Sequence, residues 1–216
     1  MMNANALFAL AAADDADALA EALEGVDLAR AHNDGGESLY RFALFHGHAK
    51  CAALLEQRGG LPLHDAALVG DAARVARLLD AAPWAVDLLS PDGWTALHLA
   101  AFVGKDATVI ALLEHSASAR IMGRAFEQNL AVHAACAGRR LGKDAFAKLV
   151  NATGNPNAFQ KQSYTPLMIA AGNGFVDAVD VLLAAGADRS LKQAEEKSAA
   201  DLARERGHHD LAKRLE

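Results

Sequence analysis

The sequence predicts an all-α protein: an elongated array of short, similar helix pairs, each stacked on the next. Three observations carry this. First, one pattern recurs along the chain, with equivalent positions at Asn5, Ser38, Leu61, Thr95, Leu130, Thr165 and Ser198 and intervals of 33, 23, 34, 35, 35 and 33 residues. Second, 52% of the residues are hydrophobic but only 6% are aromatic, so the core is built from alanine and leucine, which suits closely packed helices. Third, apolar residues at i, i+3 and i+4 (Val109, Leu112 and Leu113; Val179, Leu182 and Leu183) form one helical face. A helix pair of this size cannot bury such a face alone, so neighbours must stack.

Two stretches show the unit most clearly. YTPLMIAAGNGFVDAVDVLLAAGAD (164–188) aligns without a gap to WTALHLAAFVGKDATVIALLEHSAS (94–118). Each opens with threonine, then a small residue or proline, then leucine. The Ala-Ala pair that follows lets the neighbouring unit approach the first helix. Gly104 and Gly174 end that helix and turn the chain, and a leucine-rich second helix follows. The units expected are 1–33, 34–60, 61–90, 91–125, 126–160, 161–193 and 194–216, one domain over 1–216. The first is acidic along 14–27 and the last ends in ARERGHHDLAKRLE, so both suit solvated caps.

The pattern resembles the ankyrin repeat, with its period and T-P-L-H-x-A signature. The residues that carry the resemblance are Leu63-His64 with Ala66-Ala67, Leu97-His98 with Ala100-Ala101, and Thr165-Pro166-Leu167 with Ala170-Ala171. VHAAC (132–136) and KSAADLARERGHHDLAKRL (197–215) are looser copies, and the match is weakest before residue 34. Three departures stand out. The interval of 23 implies that the turn finger between Ser38 and Leu61 is missing. GRRLG (138–142) adds about three residues between the helices of the fifth repeat, and SASARIMGRAFEQN (116–129) lengthens the connection before it. Loops with insertions are where such arrays often carry specificity.

The resemblance implies that His64, His98 and His133 are structural, hydrogen-bonding near the first helix to tie adjacent turns. HGHAKC (46–51) has the residue types of a zinc site, but its register places Gly47-His48 on the repeat's Gly-His and Cys51 at a buried aliphatic position. Cys136 falls where Ala101 and Ala171 sit. DDAD (14–17) reads as a solvated turn. With no nucleophile elbow, phosphate loop or paired carboxylates in sequence, no catalytic residue, metal or cofactor is expected.

The ligand surface implied by the resemblance is the concave side, made of turn tips and first helices. Its outward positions are Phe45-His46, Leu68-Val69, Trp94 with Phe102-Val103, Arg139-Arg140, and Tyr164 with Asn173. Leu68, Val69, Trp94, Phe102 and Val103 are expected to form one apolar strip, followed by a basic stretch. Exposed apolar patches mark interaction sites, and Trp, Tyr and Arg are favoured anchors. The competing reading is that loops fold over these residues and bury them.

The formal charge of −6 argues against nucleic acid. Arg120 to Lys161 nonetheless carries seven basic residues against two acidic ones, so an acidic patch on the partner would face repeat five. No apolar run approaches the roughly 20 residues that span a bilayer, and the N-terminus lacks the basic residue of a secretory signal. Two cysteines without a CxxC pair suit a reducing cytoplasm. The expected function is a monomeric, non-catalytic module that binds another protein, not a membrane. The alternatives are a stoichiometric inhibitor or immunity-type protein occluding an enzyme or toxin, and an enzyme whose site is assembled across repeats.

Overall fold

The computed structural model describes residues 4–28, 31–58, 61–124 and 128–216, and fourteen α-helices run through them. They form seven antiparallel pairs: α1 Ala4–Ala12 and α2 Ala16–Ala22; α3 Leu39–Phe45 and α4 Ala49–Arg58; α5 Leu63–Val69 and α6 Ala72–Ala81; α7 Ala96–Val103 and α8 Asp106–Glu114. The remaining pairs are α9 Ala131–Gly138 and α10 Lys143–Thr153, α11 Pro166–Gly172 and α12 Val176–Ala184, α13 Ala199–Glu205 and α14 His209–Leu215. Helices this short do not persist alone in water. What holds them is stacking: α5, α7, α9, α11 and α13 pack in one row, and α6, α8, α10 and α12 in a second. The described residues contain no strand.

Each first helix starts where the repeat pattern puts its cap. The hydroxyls of Ser38, Thr95, Thr165 and Ser198 accept from the N–H three residues on, satisfying a donor the helix leaves open, for about 1 kcal/mol each. Leu130 has no such oxygen, and there the N–H of Leu130 donates to Nδ1 of His133 instead, at 3.2 Å. Two starts differ from expectation. The cap of α5 is Pro62, one residue after Leu61, because proline's fixed φ of −65° suits an extended cap and its missing N–H costs nothing there. Asn5 lies inside α1, not at its cap.

Close approach between first helices depends on small residues. Ala66, Ala67, Ala100, Ala101, Ala135, Ala170 and Ala171 are fully buried. At Gly138 a Cβ would collide with the carbonyl oxygen of Phe102, so α9 closes on the end of α7 only because glycine stands there. The apolar faces then merge into two clusters. The larger runs from Ala66 to Leu215. The smaller gathers Leu7, Phe8, Leu19, Leu39 and Leu55 of the first two repeats with Leu61, Leu68 and Leu99 of the next two.

The boundary between the clusters is the shortened connection. Only residues 59–62 join α4 to α5, where 82–95, 154–165 and 185–198 join later pairs. There is no length for a finger. The finger before α3, turned by Asn33 N–H to Glu37 O at 3.0 Å, therefore lies on the finger before α7, with Gly36 against Pro91. Arg41 bridges the same gap. It sits three residues after its cap, where His98 and His133 sit in later repeats, and is 3% exposed. Its guanidinium pairs with Asp92 in the finger beyond, while the Ser38 hydroxyl donates to buried Asp65 on α5 at 2.9 Å. In the fifth repeat the inter-helix loop spans 139–142 against 104–105 in the fourth, two residues longer.

Candidate functional site

The histidines near the starts of the first helices turn inward and work as struts. Thr95 donates to Nδ1 of His98 at 2.7 Å, which leaves Nε2 to donate to Asn129 O at 2.9 Å, a repeat away. His133 spans from Leu130 N–H to Ala158 O, and His64 reaches Leu88 O, both through Nε2 at 2.9 Å. Burial, opposed by these carbonyl bonds, lowers the pKa of His64 and His98 and takes His133 down to about 4. Both nitrogens of His98 and His133 are committed, so neither ring is available as a base or a ligand.

Beside the last of these struts, His133, lies a groove of about 330 Å³ on the first-helix side of repeats four to seven. Trp94 and Phe102 form one end, Tyr164 and Asn173 line the middle, and Leu202 and Arg206 close the other. Its floor is Ala134, Ala137, Met168, Ile169 and Gly172, with the amides of Asn129 and Gln160 between. Phe102 is 41% exposed. Trp94 packs edge-on against His98, centroids 5.6 Å apart. Beyond Asn173 a second, shallower depression is lined by Gly138, Arg139, Arg140 and Phe175.

A family model for ankyrin repeats (3 copies) matches residues 63–159, and one for ankyrin repeats (many copies) matches 149–203. Together they run without a break over 63–203, well over half of the chain. The chain belongs to the ankyrin repeat family. Among curated proteins, none matches it. Ankyrin repeats generally mediate protein–protein interaction and are typically non-catalytic.

Within this ankyrin array the expected surface residues do not form one continuous strip. Leu68 is the correction: it is 2% exposed and belongs to the apolar cluster of the first two repeats. The shortened connection draws repeat two over it, so a position that is open in the next repeat at Phe102 is closed at Leu68. Val69, Val103 and Trp94 are half-buried on the flank of the same cluster. Trp94, Phe102, Tyr164 and Asn173 meet in the groove, and Arg139 and Arg140 adjoin it through Asn173. Phe45, 51% exposed, and His46 stand apart at the end of α3.

His46 lies tilted against Phe42 and His48 stacks on it, ring centroids 4.6 and 5.5 Å away. Cys51 is buried, its N–H donating to Asp14 of the neighbouring repeat at 3.0 Å. Asp14 and Asp15 form the turn between α1 and α2, where Asp15 caps α2. Among the described residues no group of three or more His, Cys, Asp or Glu is arranged to hold a metal ion, and no helix is long and apolar enough to cross a membrane.

Met168, Ile169 and Arg206 were not expected in the site. The signal for Met168 lies in the motif itself, since TPLM replaces TPLH. A thioether cannot tie the next finger as His98 and His133 do. Arg206 is the C-cap residue just after the final first helix, a position legible as outward only once the array is assembled.

Proposed function

We propose that this protein is a non-catalytic binding module whose concave groove holds another protein. The observation that carries this is the groove itself: exposed Phe102, with Trp94, Tyr164 and Ile169, beside a margin of arginines. Aromatic and arginine side chains around a concavity are the composition of binding hot spots. The basic margin favours a partner with an acidic patch facing repeats five to seven. The negative net charge disfavours nucleic acid. Non-catalysis is supported by the commitment of both nitrogens of His98 and His133 to the frame. Two buried free thiols suit the reducing cytoplasm, and the protein acts as a monomer. An inhibitor or immunity-type role is the same groove used to occlude an enzyme or toxin.

The test is affinity capture on the full chain, followed by quantitative binding of the recovered partner. Phe102→Ala with Tyr164→Ala should weaken binding by about tenfold or more. Trp84→Ala, on the exposed turn after α6, should leave it unchanged. Binding that ignores the groove pair but follows Trp84 would refute the reading.

A further inference from the structure

Arg139 stands in a conformation that costs it. After α5 and α7 the chain turns through Gly70 and Gly104 in the left-handed region; after α9 the same position is Arg139, at φ 57°. A side chain there crowds the following carbonyl, and such strain collects at functional positions. What the arginine gains is a fixed guanidinium: Nη1 donates to the backbone oxygen of Asn173 at 3.0 Å. From the other side Arg206 Nη1 donates to Asn173 Oδ1 at 2.8 Å, and the Asn173 amide is itself held by Cys136 O at 3.3 Å. Two guanidiniums from repeats five and seven thus converge on one neutral residue, Arg139 on its backbone carbonyl and Arg206 on its side-chain amide.

Neither arginine forms an ion pair among the described residues, although acids are plentiful nearby in sequence. Between 128 and 216, Asp180, Glu195, Glu196, Asp201, Glu205 and Glu216 pair with lysines or arginines, and Asp188 turns onto Ser190. The remaining three, Asp144, Asp177 and Asp210, lie in the first turns of the second helices. The two guanidiniums beside the groove are therefore held by hydrogen bonds to a neutral residue and have no ion-pair partner among the described residues, a combination that suits a charge-assisted bond from outside.

We infer that Arg139 and Arg206, spaced by Asn173, form a receptor for the carboxylate of an aspartate or glutamate on an extended segment of the partner. An apolar side chain of the same segment enters the groove at Phe102 and Ile169. This rests on the concave-face reading of function and adds the chemistry of the occupant. Arginine suits it through its fork of N–H donors.

The test selects peptides from a random linear display library on the full chain and measures the synthetic winners by fluorescence polarisation. The winners should carry Asp or Glu near a large apolar residue, and exchange of that acid for its amide should cost about tenfold. Arg206→Gln should cost the same. Arg139→Gly should do so while keeping or raising the melting temperature, because glycine accepts the left-handed turn. Asn173→Asp, which places an internal carboxylate between the arginines, should erase the preference for acid. Winners lost on Phe102→Ala but indifferent to their acid and to both arginines overturn the receptor and leave the groove standing. Winners indifferent to Phe102→Ala overturn both. A phosphoserine peptide binding tenfold tighter than its glutamate form would replace the carboxylate receptor with a phosphate site.

Discussion

Replacing Arg41 with leucine tests how the array bridges its missing finger. Arg41 is buried between Asp92, its ion-pair partner, and Asp65, and the substitution leaves both carboxylates without it. Removing one member of a buried pair costs about 3–5 kcal/mol. Asp92 keeps partial access to water, with 24% of its side chain exposed, so the low end, about 3 kcal/mol at pH 7, is expected. The loss should depend on pH in one direction. Burial raises the pKa of Asp65 to about 6, against the pull of the Ser38 hydrogen bond and of Arg41. Below that value Asp65 takes up a proton and no longer needs the guanidinium, so the cost of Arg41→Leu should shrink at pH 5. Urea unfolding followed by circular dichroism at pH 5 and pH 7 measures both numbers. A loss under about 1 kcal/mol at pH 7, or one that grows on acidification, would show that the tie does not hold the joint.

Asp65 and His133 should tilt wild-type stability in opposite directions. A raised carboxyl pKa gives stability that is full below about pH 4 and lost as pH rises to about 6, about 3 kcal/mol in all, so Asp65→Asn should flatten that fall. The depressed His133 does the reverse, losing stability as pH falls from about 6.5 to about 4, and His133→Gln should remove that acid lability while costing about 1–3 kcal/mol at pH 7 for the lost strut. Both thiols should label slowly in the folded protein, since each is buried and burial pushes Cys51 up to about 11; rapid reaction of either under native conditions would contradict its packing. EDTA should leave the melting temperature unchanged, and a drop restored by zinc would reinstate the His46–Cys51 segment as a metal site.

The repeat, its period and the structural histidines were legible because each depends on contacts within one unit and its immediate neighbour. Thr95 and His98 are three residues apart, and the carbonyl they reach belongs to the next repeat. Leu68 was not legible. Its pattern equals that of Phe102, and only the closure of repeat two separates the buried residue from the exposed one. Arg41 occupies the histidine position of its repeat, a signal present in the sequence. Its use becomes clear only when the absent finger puts Asp92 within reach. The arginines around Asn173 were half legible: GRRLG marked Arg139, while Arg206 caps a helix two repeats away.

Leu68 and Leu99 carry a consequence for any shortened form of this chain. They lie in repeats three and four, yet their burial comes from the cluster of repeats one and two. An array cut before residue 61 would keep its histidine struts and its larger core but would present these two leucines, with Leu61, where repeats one and two had covered them. Terminal units keep such arrays soluble by covering what the interior repeats leave open. A fragment of 61–216 would therefore remain helical and self-associate, with light scattering rising with concentration where the full chain stays dispersed.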